Sequence, residues 1–139
     1  MIVLDTNVLS EILRPAPAAR PMAWLGAQPR SALFTTTVTR GELLYGVKLL
    51  PDGQRKVRLQ AAVMDIFAID LLGQVLSFDT DAADAYADIA ASRKAAGKPI
   101  SQFDAMIAAI AKSRGASVAT RNVKDFSDCG IELIDPWDS

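Results

Sequence analysis

MIVLDTNVLSEILRP (residues 1–15) passes within a few residues from an apolar run to an acid and then to a helical pattern. Ile2-Val3-Leu4 is continuously apolar, as a strand buried on both faces should be. It ends in Asp5. A helix is expected from about Asn7 to Leu13, and Arg14-Pro15-Ala16-Pro17 stops it. A buried strand that feeds straight into a helix is the unit of a parallel sheet, because parallel neighbours need a crossover.

The same alternation continues along the chain. A second short helix is expected over 18–27, closed by Gly26 and Pro29. Ala32-Leu33-Phe34-Thr35 reads as strand two. The stretch 39–50 is helical, with Leu43, Leu44, Val47 and Leu50 on one face. Pro51-Asp52-Gly53 is a turn, and a long helix over 54–72 ends at Gly73. Strand three is 75–78. A helix over 81–96 has Ala82, Ala85, Tyr86 and Ile89 in phase and Gly97 as its cap. Ser101 opens another helix that runs to about Arg114. Strands four and five are 117–119 and 132–134. Right-handed crossovers leave few ways to connect such a chain. The reading is a three-layer α/β/α fold with a central parallel sheet of about five strands. Its order is 3-2-1-4-5, and residues 1–139 form a single domain.

Composition narrows the chemistry. Half of the 139 residues are hydrophobic, and a domain of this size buries roughly 70% of its unfolded surface without disulfide staples. The one cysteine, Cys129, excludes an internal disulfide and suits a reducing cytosol. No apolar run approaches the ~20 residues of a spanning helix, and the opening run is too short for a signal peptide. The expectation is a cytoplasmic chain with no membrane partner. Histidine is absent. That removes Ser-His-Asp and Cys-His nucleophiles, histidine zinc sites and paired-histidine ribonuclease chemistry. Net charge is −1, but bases gather at Arg55, Lys56 and Arg58, at Arg93, Lys94 and Lys98, and at Lys112, Arg114, Arg121 and Lys124. Each group is either a solvated helix face or a phosphate contact.

Ligands of open parallel sheets bind at the carboxyl ends of the strands, where the strand order reverses. Here that point lies between strands one and four. Asp5 ends strand one. Glu42 is expected in the first turn of the helix after strand two. Asp104 is in the first turn of the helix leading into strand four, and Asn122 and Asp125 follow strand four. All should meet at one edge. Helix capping is the competing reading. Thr39 with Glu42, Ser101 with Asp104, and Asn122 with Asp125 all have capping-box spacing, and Asp79 is placed to cap the helix after strand three. Asp5 stands apart, since Thr6 and Asn7 already offer cap side chains. Crowded carboxylates repel, and Mg²⁺ or Mn²⁺ resolves this with oxygen ligands and water.

Four blocks carry a resemblance. They are MIVLDTNVLSEILRP, TTVTRGELLYG (residues 36–46), ISQFDAMIAAIA (100–111) and VATRNVKDF (118–126). In this order and at these separations they resemble the PIN domain, most closely the VapC and FitB toxins of bacterial toxin–antitoxin pairs. The likeness spans nearly the whole chain. It implies a PIN-like fold and an Mg²⁺- or Mn²⁺-dependent endoribonuclease. Asp5, Glu42 and Asp104 would be its metal ligands and catalytic acids. Asn122 falls at a fourth catalytic position that is often aspartate, and its neutral amide points to one firmly held ion. Thr6 and Thr120 match small hydroxyl positions near the metal, and Asp125 matches a supporting acid. The resemblance further implies an RNA substrate, homodimers, and inhibition by a cognate antitoxin of VapB or FitA type. Arg121 and Lys124 are the expected phosphate contacts. Trp24, with Met22 and Leu25, is either core or part of an antitoxin groove.

Two other functions fit a strand-ending aspartate. An aspartate-nucleophile phosphatase usually carries a second acid two residues on, where this chain has Asn7. A phosphoacceptor signalling domain wants paired acids after strand one and a lysine after the last strand, where Ile134 is followed by Asp135-Pro136.

Overall fold

The computed structural model describes residues 1–138. Its strands are β1 (Ile2–Leu4), β2 (Leu33–Thr36), β3 (Val75–Leu76), β4 (Ser117–Ala119) and β5 (Leu133–Ile134). They form one parallel sheet in the order β3-β2-β1-β4-β5. The helices are α1 (Thr6–Ile12), α2 (Ala19–Ala27), α3 (Thr37–Lys48), α4 (Gln54–Asp65), α5 (Thr80–Ala95) and α6 (Gln102–Ser113). α4 continues into a wide turn, Ile66–Asp70. The expected fold class and strand order are both present.

Why the strands are apolar throughout follows from the pleat. Successive side chains of β1 point to opposite faces. Val3 packs with Val118, Ile89, Ile107 and Phe126 on the face covered by α5 and α6. Leu4 packs with Val8, Leu43, Val63 and Ala119 on the face covered by α1, α3 and α4. A strand enclosed by two helical layers has no face left for polar residues. α6 is the most deeply held helix. Ala105, Ile107, Ala108, Ala109, Ile110 and Ala111 are all buried, and small alanines let it lie close to the sheet and to α5.

The start of α3 and the surroundings of Arg93 differ from the sequence expectation, and Trp24 takes one of the two roles open to it. α3 begins at Thr37, two residues early, because pairing of β2 with β3 ends at Thr36↔Leu76. Trp24 and Leu25 are half-buried against the Leu4 cluster, which is the core role. Arg93 is buried rather than solvated. Its guanidinium donates to the carbonyls of Lys98 at 2.7 Å, Asp125 at 3.0 Å and Ser127 at 2.8 Å. It therefore ties α5 to the segment after β4. Cys129 is buried beside it, and burial pushes its thiol up. Among the described residues no helix is long and apolar enough to cross a membrane.

Candidate active site

β1 passes into α1 with one residue between them, Asp5. That residue is therefore the N-cap, in extended backbone, with Oδ1 accepting from the Thr6 N–H at 2.8 Å. The expectation that Thr6 or Asn7 would cap α1, leaving Asp5 free, is corrected here. With no loop between strand and helix, the last extended residue must be the cap. Capping engages one oxygen only. The other, Oδ2, accepts the Thr120 hydroxyl at 2.9 Å. Thr120 follows β4, which pairs with β1 along Leu4↔Ala119.

Thr120 is a saturated hub. Its hydroxyl donates to Asp5, and it accepts from Asn7 Nδ2 at 3.2 Å and from the Asn122 N–H at 3.0 Å. A hydroxyl has one hydrogen and two lone pairs, so its rotation is fixed. Asn7 Oδ1 in turn accepts the Arg121 N–H at 3.3 Å. In the sequence Asn7 is offered as a cap side chain and as the place where a second acid is missing. Its role here is to lock the start of α1 to the end of β4.

Glu42 reaches the same place from the other side. Thr36 caps α3 by accepting the Thr39 N–H at 3.1 Å, so the Thr39–Glu42 capping box does not form. Glu42 lies in the second turn of α3, not the first. Its Oε1 accepts the Thr6 hydroxyl at 2.7 Å. Thr6 Oγ1 lies 3.0 Å from Thr39 Oγ1, and the Thr36 hydroxyl donates to Thr39 at 3.4 Å. Since Thr6 gives its one proton to Glu42, Thr39 must give its own to Thr6. Three hydroxyls thus point in series toward one carboxylate.

Asp104 is the third residue of α6, half-buried, and its N–H donates to Ser101 Oγ at 3.3 Å. The Ser101 cap is as expected. Asn122 is exposed and its side chain does not cap the short turn Val123–Phe126, so the Asn122–Asp125 box is also absent. Asp79 caps α5 through Ala82 and pairs with Arg114 at 3.2 Å, as expected of a cap.

One crevice of about 420 Å³ is lined by Asp5, Thr6, Asn7, Glu42, Asp104, Arg121 and Asn122. Glu11 and Trp137, which sequence reasoning did not single out, lie in its walls too. Glu11 is already committed, to Arg14 at 3.4 Å and to the Ala18 N–H at 3.0 Å. Its spacing to Arg14 was the available signal. Lys124 is exposed and outside the crevice walls.

The electrostatics are unbalanced. Among the described residues, no lysine or arginine forms an ion pair with Asp5, Glu42 or Asp104. Asp5 is 5% exposed. Burial, aided by repulsion from Asp104 and Glu42 and opposed by its two hydrogen bonds, pushes its carboxyl up to about 6. Burial likewise raises Asp104, with Asp125 adding repulsion and Ser101 and Arg93 opposing. Among the described residues, no three acidic, histidine or cysteine side chains close on a single point tightly enough to hold an ion unaided.

Residues 2–131 match the family model described as PIN domain. The chain is 40% identical over 138 residues to the VapC ribonuclease Y4jK of Sinorhizobium fredii, covering 99% of each chain. It is 39% identical over 141 residues to the toxin FitB of Neisseria gonorrhoeae, again over 99% of each. The crystal structure of FitAcB from Neisseria gonorrhoeae superposes with a TM-score of 0.88 at 38% identity, over 100% of both chains.

Proposed function

The chain belongs to the PIN domain family, and on that premise we propose that it is a toxin-type endoribonuclease that depends on Mg²⁺ or Mn²⁺. One observation carries the reading: Asp5 is buried at the sheet's switch point beside Glu42 and Asp104, and among the described residues no lysine or arginine pairs with it. The names of the relatives, a ribonuclease and a toxin, support the activity.

The donor set fits a hard divalent ion. Asp5 and Asp104, with Glu42, offer only oxygens. Their open arrangement suits an ion that keeps several waters and is completed by substrate phosphate. When bound, such an ion supplies charge neutralisation on the phosphoryl oxygens and a more acidic water. The remaining work falls to side chains. Thr120 and the Thr6 N–H orient Asp5. The hydroxyl series Thr36–Thr39–Thr6 fixes the orientation of Glu42, which is placed to take a proton from a water that attacks phosphorus. Asn122 positions a water or a substrate oxygen. Arg121 holds a flanking phosphate at the rim, and Lys124 contacts the strand farther out.

The same reading extends to the assembly partners, and the relatives' names support it. A cognate antitoxin of VapB or FitA type covers the site, and two copies of the chain form a homodimer. A cytoplasmic location fits the unpaired, buried thiol of Cys129. The whole chain, residues 1–139, acts as one PIN domain.

Purified protein is expected to cut RNA with Mg²⁺ or Mn²⁺ and to stop with EDTA. Asp5→Asn and Asp104→Asn should each abolish cleavage. If both variants cut as well as wild type, the site assignment is wrong.

A further inference from the structure

Trp137 and Arg121 have no part in holding the acids, yet both line the acidic crevice. Arg121 Cζ lies over the Trp137 ring, 5.2 Å from its centroid. Arg121 is exposed and, among the described residues, has no carboxylate in ion-pair contact. The crevice's other arginine, Arg14, does pair, with Glu11. A cation that bypasses four nearby acids and rests on an indole is placed for something outside the protein.

Both residues are anchored at the backbone. The Arg121 N–H is held by Asn7 Oδ1, and its neighbours Thr120 and Asn122 belong to the hydrogen-bond hub on Asp5. The Trp137 N–H donates to Asp135 at 2.9 Å, and its carbonyl accepts from Arg20 at 3.4 Å. Trp137 is half-buried, packs on the Leu4 cluster and lines the crevice. The backbone that carries each side chain is thus held beside the crevice that Asp5 lines.

We infer that Trp137 and Arg121 form a stacking shelf for the nucleobase beside the phosphodiester that is cut, and so select RNA with an unpaired nucleotide there. The inference rests on the ribonuclease reading. Aromatic faces and guanidinium planes are the surfaces on which unstacked bases settle. A base inside a duplex has both faces covered by its neighbours and cannot use the shelf. Trp137 is on this account a positioning and specificity residue, not a catalytic one.

The test is a binding measurement beside a cleavage measurement. The chain has two tryptophans, so Trp24→Phe leaves Trp137 as the sole reporter. A nuclease-resistant single-stranded oligonucleotide (2′-O-methyl, phosphorothioate) is titrated in Mg²⁺, with its duplex as control. The expected result is saturable quenching by the single strand and much weaker quenching by the duplex. By anisotropy of a labelled strand, Trp137→Leu should weaken binding about 5- to 150-fold, and Trp137→Phe should retain most of it. Trp137→Leu should also raise KM for a single-stranded substrate more than it lowers kcat. Equal affinity of Trp137→Leu and wild type, or equal quenching by single strand and duplex, overturns the shelf. If Trp137→Leu does not fold, Arg121→Gln keeps the test. Its single-strand preference must narrow, and an unchanged preference overturns the inference. A wild type that quenches but cuts no RNA keeps the shelf and defeats the nuclease reading. A wild type that cuts RNA while Trp137→Leu binds normally does the reverse.

Discussion

Asp5 is short of water and near other acids, and its raised carboxyl, pushed up to about 6 from 3.8, makes stability depend on pH. The sign follows from proton linkage. A folded-state value above the unfolded one means that the folded chain binds more protons between about pH 4 and 6. The Asp5 contribution is therefore fully present below that window and is lost as pH rises through it. The loss is roughly 3 kcal/mol. In EDTA, Tm should thus fall from pH 4 to pH 7, and Asp5→Asn should flatten the fall. Asparagine caps a helix as well as aspartate, so α1 keeps its start. Parallel Tm profiles for the two proteins would show that Asp5 is not strained. Thr120 is the second informative residue. Removing an outer partner of a metal ligand typically lowers metal affinity or activity about 10- to 100-fold. Thr120→Val should fall in that range in a cleavage assay while still folding.

Helix caps serve different purposes, and mutation separates them. Asp79 caps α5 and pairs with Arg114 far from the acids. Asp79→Ala should lower stability through the lost cap and leave RNA cleavage unchanged. Ser101 caps α6 in the same turn as Asp104. Ser101→Ala should cost about the same stability but also reduce cleavage, because the turn that presents Asp104 loosens. Denaturant melts paired with cleavage rates check both, and equal cleavage losses would remove the distinction. The caps were only partly legible. Asp79 and Ser101 follow from spacing alone. At α3, Thr35 to Thr37 and Thr39 are near-equivalent candidates, and spacing to Glu42 favoured the wrong one. Strand pairing chose Thr36, since β2 runs as far as its contact with β3.

Across the whole molecule, the strand order sets Asp5, Glu42, Asp104 and Asn122 on one crevice from positions far apart in the chain. An ion that binds only the folded crevice must stabilise the fold. At about a hundredfold excess over Kd the gain is roughly 2.7 kcal/mol, or a Tm rise of about 5–10 °C. Wild type should show this rise with Mg²⁺ or Mn²⁺. Asp5→Asn should start from a higher Tm in EDTA, with repulsion relieved, and gain less from the ion. Identical shifts in both proteins would place the ion elsewhere.

Local pattern determined the element types and marked the candidate acids, and the crossover rule narrowed the strand order to a few, because apolar runs and helix stops are short-range facts. The exclusion of histidine chemistry came from composition in the same way. What only the tertiary structure decided is which atoms each polar group meets. Asp5 turned out to be both a helix cap and the centre of the crevice, since a carboxylate has two oxygens and the sequence cannot say where each one points. Glu42 lost its cap and gained a chain of hydroxyls. Arg93 became a buried tie and Trp137 a wall of the site, because burial and cross-chain contact arise only when distant segments pack.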